Sequence, residues 1–111
     1  MNDQGKELLK GTLDMLILQA LEREPMHGWG IAERIESLSR DVFHLQTGTV
    51  YPALHRLLKR GWIAAEWRVT ANNRKARYYR LAPAGRKRLE AERASWKRAS
   101  LAVNRILDAL S

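Results

Sequence analysis

An α+β domain, mainly helical, is predicted by three observations on this 111-residue chain. Apolar residues recur at helical spacing in three successive stretches as far as Gly61, and repeats of i, i+3, i+4 put such residues on one side of a helix. From Ile63 the period changes to two, in two runs separated by a polar stretch, which is the pattern of a hairpin of strands. From Pro83 the helical spacing returns and holds to Leu110. Helix, helix, helix, strand, loop, strand, helix is the plan of a winged helix-turn-helix with a two-stranded β-wing and a long C-terminal helix. One compact domain is expected, with residues 1–82 as the winged unit and residues 83–111 as a dimerisation helix.

The first helix is predicted by Leu9, Leu13, Leu16, Ile17, Ala20 and Leu21, while Leu8, Met15 and Leu18 form a second apolar side. Two apolar sides require cover on both. That helix stops near Pro25, because a proline disfavours helical backbone in the residue before it. A second helix follows Gly28 with Ile31, Ile35 and Leu38 inward. SRDVFHLQ reads as a connector, with a brief strand expected at residues 42–44. The third helix begins within residues 46–49, so Pro52 falls in or just beyond the first turn, where its missing N–H costs least, and Gly61 ends it. Beyond, Ile63, Ala65, Trp67 and Val69 face one way and Ala64, Glu66 and Arg68 the other, a half-buried strand. TANNRKA is turn-forming, and ARYYRLA alternates again with Tyr79 and Leu81 inward. Pro83 is a good first residue for the last helix.

The formal charge of +8 points to a polyanionic partner. Its distribution sharpens that reading. Residues 1–44 carry 5 Lys/Arg against 8 Asp/Glu, residues 45–88 carry 11 against 1, and residues 89–111 carry 4 against 3. Solubility alone does not require one sign to be so concentrated. Without cysteine there is no thiol catalysis and no thiolate metal site. His27, His44 and His55 do not share a ligand spacing, and no Ser, His and Asp are placed as nucleophile, base and orienter. Neither an enzyme nor a metal or other cofactor is therefore expected. GWG and GTVYP lack the Gly-Lys-Ser/Thr of a phosphate-cradling loop. The N-terminus has no basic region leading into an apolar one, and Asp14 and Gln19 interrupt LDMLILQAL, so a cytoplasmic protein away from the membrane is expected.

The stretch LQTGTVYPALHRLLKRGW asks what its third helix touches, since its outward side carries arginine and lysine with no acidic partner. On a helical wheel Val50, Leu54, Leu57 and Leu58 cluster toward the core. Thr49, Pro52, Ala53, Arg56 and Arg60 cluster elsewhere, and small residues there admit a close approach to a groove floor. The second helix of a helix-turn-helix presents its N-terminal half to base edges in the major groove, which makes Thr49 and Arg56 base-reading candidates, joined at the helix start by Thr47. Lys59 and Arg60 suit either a phosphate or the negative end of their own helix dipole. Tyr51, off the core stripe, has a hydroxyl to offer a phosphate. In the hairpin loop Asn73, Arg74 and Lys75, with Arg77 following, favour contact with the DNA backbone or minor groove.

PMHGWGI, GTVYPALHRLLKRGWI and NNRKARYYRLAPAGRKRL together resemble the PadR family of bacterial transcriptional regulators, over roughly residues 9–110. The family's His-Gly-aromatic turn, Tyr-Pro-x-Leu recognition helix and wing ending in a Tyr-Tyr strand occur in that order. The resemblance implies a homodimeric repressor of the compact subtype, with a single C-terminal helix serving dimerisation and with Tyr51, Pro52 and the wing cations at the DNA. Ala82 departs from the threonine the family often has before the last helix, an N-cap loss of about 1 kcal/mol that Pro83 offsets in part.

The last helix carries Leu89, Trp96, Val103 and Leu110 at seven-residue intervals, with Ala99, Ile106 and Leu107 beside them. One small domain cannot cover such a stripe. The first helix of a partner subunit, through Leu8 and Met15, is the expected cover, giving a two-fold dimer on a pseudo-palindromic duplex site. Trp96, at mid-stripe, is expected to pack at the interface, and a planar aromatic effector between subunits is the functional alternative for it. An RNA-binding protein or a winged-helix protein-interaction module shares parts of this pattern. The first would more often expose aromatics on a sheet, whereas Trp67 and Tyr79 fall on the inward stripe. The second would not need a bare cationic third helix.

Overall fold

The computed structural model describes residues 3–111, with side chains described for Leu9 and from Gly11 onward. Helix α1 spans Asp3–Ala20, a short strand β1 spans Met26–His27, and helices α2 and α3 span Gly28–Leu38 and Thr47–Lys59. The hairpin strands β2 and β3 span Ile63–Val69 and Lys75–Leu81, and α4 runs over Pro83–Ala109. The three strands form one antiparallel sheet in the order β1-β3-β2. This is the expected winged helix plan, with a third strand added at the sheet edge.

That strand corrects the expectation of one at residues 42–44. Met26 and His27 pair with Tyr79 and Tyr78, so the free edge of β3 is already taken. In the connector Arg40 and Asp41 have φ of 52° and 64°, which breaks extended backbone. Side chains absorb its amides: Phe43 N–H donates to Ser39 Oγ at 3.1 Å and Leu45 N–H to Glu36 Oε1 at 2.6 Å. A segment whose donors are bound locally has none left for a ladder.

One core holds the layers together. Leu9, Leu13, Ile17, Leu18 and Leu21 of the first helix and its end meet Ile31 and Ile35 of α2, Val50, Ala53, Leu54 and Leu57 of α3, Ile63 and Tyr79 of the sheet, and Leu89 of α4. Several expected orientations change. Leu18 belongs to this core rather than to a second side. Leu38 is 78% exposed, because α2 ends there and the chain turns away. Trp67 and Val69 are also exposed: the hairpin is longer than the body it packs on, so only Ile63 and Ala65 of that stripe find cover. Leu89, expected at a subunit interface, has 0% exposure within this single chain, since the first half of α4 lies along the α1 of its own chain. Leu8, expected beside it, has its side chain outside the described residues.

The helix ends follow local chemistry. His27 caps α2, its Nδ1 accepting the Gly30 N–H at 2.9 Å, which satisfies an amide the helix cannot. Helix α4 begins at Pro83 after Ala82, which makes no side-chain cap bond. Gly61, with φ of 74°, follows the end of α3, a conformation glycine adopts without strain.

Candidate nucleic-acid interface

The buried arc of α3 consists of Val50, Ala53, Leu54 and Leu57. Ala53, expected on the outward side, is only 1% exposed, and including it rotates the outward face. At about 100° per residue, the direction opposite the arc carries Gly48, Pro52, His55 and Lys59, all exposed. His55 was not anticipated; reading Ala53 as core would have found it. Pro52 is the sixth residue of α3, just past the first turn as expected, and cannot return an N–H to Gly48. Nothing lies within 4 Å of where a Cβ on Gly48 would be. The outward face near the N-terminus of α3 is thus nearly bare backbone.

The flanks of α3 are held by neighbours. On one flank, Arg56 Nη2 meets Asp14 Oδ1 of α1 at 2.5 Å, so the expected absence of an acidic partner is corrected at this residue. On the other, the Tyr51 ring lies where a Cβ on Gly28 would stand, 2.8 Å from that position. Only glycine at the start of α2 admits the ring. The Tyr51 side chain is nonetheless exposed. Burial pushes the Tyr79 pKa above its ordinary value, the Arg77 guanidinium works against the rise, and Tyr51 adds to it. At the C-terminal end the Arg60 guanidinium lies 5.0 Å from the Trp62 ring centre, and that of Arg88 lies 4.8 Å from it. Arg60 therefore has a cation–π role at the helix end, while Lys59 points outward.

The wing turns at Asn73, with φ of 58°. Thr70 N–H donates to the Arg74 carbonyl at 2.7 Å, Asn73 N–H to the Thr70 carbonyl at 2.9 Å, and Arg74 N–H to Thr70 Oγ1 at 3.3 Å. These bonds fix the loop and aim Asn72, Asn73 and Arg74 past the strand ends, while Lys75 and Arg77 belong to β3. The one carboxylate of the hairpin, Glu66, is bound by Arg68 at 2.6 Å. Among the described residues no carboxylate lies within ion-pair distance of Lys59, Arg74, Lys75 or Arg77. Thr47, Thr49, Tyr51 and Pro52 are exposed with them. Among the described residues the outward face of α3 and the tip of the wing are thus both exposed, and Lys59 of the one and Arg74, Lys75 and Arg77 of the other are locally unneutralised.

A second feature lies away from that surface. Trp96, Lys97, Arg93 and Ser100 of α4 and Met15, Leu16 and Gln19 of α1 line a groove of about 470 Å³. Met15 and Trp96, expected to meet across subunits, thus share a groove within one chain. Beyond it Ala99, Val103, Ile106, Leu107 and Leu110 are all exposed, with Leu101 on another side of the helix.

Comparison with known proteins gives a consistent picture. The Transcriptional regulator PadR-like family matches residues 17–91. The transcriptional regulator Rv3488 of Mycobacterium tuberculosis is 35% identical over 88 residues, covering 79% of this chain and 78% of that protein. A PadR family transcriptional regulator from Eggerthella lenta superposes with a TM-score of 0.76 at 33% identity, covering 91% of this chain and 86% of its own. A PadR-like transcriptional regulator from Bacillus cereus gives 0.81 at 27% identity, over 91% and 96%.

Proposed function

The chain belongs to the PadR-like family of transcriptional regulators, and from that premise we propose that it binds a pseudo-palindromic duplex operator as a homodimer and represses from it. It is a DNA-binding regulator rather than an enzyme. What supports the finer reading is that four cations, Lys59 at the end of α3 and Arg74, Lys75 and Arg77 of the wing, stand without carboxylates, and that α3 exposes bare backbone at Gly48. Close backbone approach and unneutralised cations are what a phosphate-lined groove requires.

In this reading Thr47, Thr49, Pro52, His55 and Lys59 meet the major groove, and Asn73, Arg74, Lys75 and Arg77 meet backbone and minor groove. Tyr51 joins them at its exposed edge, and Arg56 and Arg60 after leaving Asp14 and Trp62. Residues 1–82 form the winged unit and residues 83–111 the helix that dimerises. The support for dimerisation is the apolar surface of Trp96, Val103, Ile106, Leu107 and Leu110, which a monomer leaves wet. Two-fold symmetry then sets two α3 helices about 34–36 Å apart, one turn of B-DNA. The groove beside Trp96 offers a planar aromatic effector a place, and such a ligand regulates only if it prefers one spacing of the helices.

Selection of bound sequences from a random duplex library tests the reading. The expected outcome is a site with two inverted half-sites one helical turn apart. Equal retention of duplex RNA or single strands would overturn it, as would selection of a single unrepeated half-site.

A further inference from the structure

The wing carries an apolar surface that the fold does not use. Trp67 is 67% exposed, although large apolar side chains on a domain of this size are usually covered. It stands on the sheet face that looks toward the helices, since Ile63 and Tyr79 on that face are in the core. Its neighbour along the strand on that face is Val69, also exposed. The register sets Trp67 opposite Arg77 and Val69 opposite Lys75, and directly opposed residues of an antiparallel pair share a face. An exposed indole and an exposed valine are therefore each paired with a cation. Glu66 and its partner Arg68 lie on the other face.

The direction of that face can be fixed. Two residue pairs nearer the core, Tyr79 lies opposite Ala65 on one side and Met26 of β1 on the other, and Gly28, which directly follows β1, abuts the Tyr51 ring of α3. At about 3.3 Å per residue, Trp67 stands about 7 Å further toward the wing tip. It therefore lies on the helix side of the hairpin, beyond the last residue of that stripe that the body covers. Cations alone would serve a phosphate strand. The indole adds a flat apolar plate, suited to the deoxyribose faces that line a minor groove and unsuited to phosphate.

We propose that Trp67, supported by Val69, is a DNA-contacting residue of the wing that packs against the deoxyribose wall of the minor groove while Arg77 and Lys75 hold the adjoining phosphates. The occupant is duplex DNA: both charges paired on this face, Arg77 and Lys75, are positive, and the exposed indole, which by itself would equally suit RNA, stands here on a member of a family of transcriptional regulators. The proposal rests on the DNA-binding reading above and adds an apolar contact to it.

The test uses the full chain and a duplex that the wild type selects from a random pool. Trp67→Ala is expected to weaken binding about tenfold, equivalent to about 1.4 kcal/mol, without changing the salt dependence, because the indole neutralises no phosphate. In a variant with Trp29, Trp62 and Trp96 replaced by Phe, acrylamide quenching of Trp67 should fall when that duplex is added. Trp67→Ala binding at wild-type affinity, or quenching indifferent to DNA, overturns the proposal while wild-type selection stands. Quenching that falls on concentrating the protein without DNA makes this face a protein contact and also overturns it. A wild type that selects no duplex removes the DNA-binding reading and the proposal together.

Discussion

Gly48 and Gly85 each lie near the start of a helix, and they answer opposite demands. A Cβ on Gly85 would stand 1.8 Å from the Trp62 carbonyl oxygen, which also accepts the Ala82 N–H at 3.0 Å. Backbone cannot yield as a flexible side chain can, so Gly85→Ala must push α4 off the sheet. A loss of about 2–3 kcal/mol is expected, read as a lower urea midpoint. At Gly48 a Cβ meets open space and the backbone is already helical. Gly48→Ala should raise stability by up to about 1 kcal/mol, yet weaken DNA binding by holding the groove floor away from the helix. Stability and affinity moving together would show that this face does not approach DNA.

The wing is where element and function separate most clearly. Replacing Arg74 and Lys75 with Ala should flatten the plot of log affinity against log salt by about 0.9 for each phosphate left unneutralised, twice over in a dimer. An unchanged slope would leave these side chains in solvent. The strands themselves were legible, because alternation from Ile63 and through Tyr79 and Leu81 is a property of the sequence. Where cover ends was not: the same alternation continues through Trp67 and Val69, past the last helix that could bury them. The phase of α3 was legible to within one residue, and Ala53 decided it, since alanine is small enough to read as either surface or core. The two residues of β1 are too few for any period, and only the unfilled edge of β3 explains them. Burial by distant chain is invisible to local spacing.

At the scale of the molecule the chain is elongated, 56 × 30 × 21 Å. Helix α4, about 40 Å long at 1.5 Å per residue, packs its first half on its own α1 and has every residue from Leu101 onward exposed. The apolar stripe was legible, but not the division between the half its own chain covers, at Leu89, and the half left open. Ile106→Glu with Leu107→Glu should give a monomer by sedimentation velocity, with the urea midpoint of the winged unit unchanged and operator affinity much reduced. A double variant that stays dimeric would place the interface elsewhere. The charge asymmetry along the chain was legible from the first.

The contact between Asp14 and Arg56 joins these scales. An aspartate held against an arginine offers what a phosphate would offer, so α1 carries a built-in rival to DNA for that one side chain. Taking Arg56 into a groove means evicting it from Asp14, and the exposure of the pair keeps that cost to about 1 kcal/mol or less. Asp14→Asn should therefore tighten operator binding a few-fold, an effect that Arg56→Ala abolishes. Asp14 is followed by Met15 and Leu16, which line the groove beside Trp96. A molecule that shifts α1 from within that groove would loosen or tighten this grip, and DNA would in turn alter the groove's affinity by the same factor.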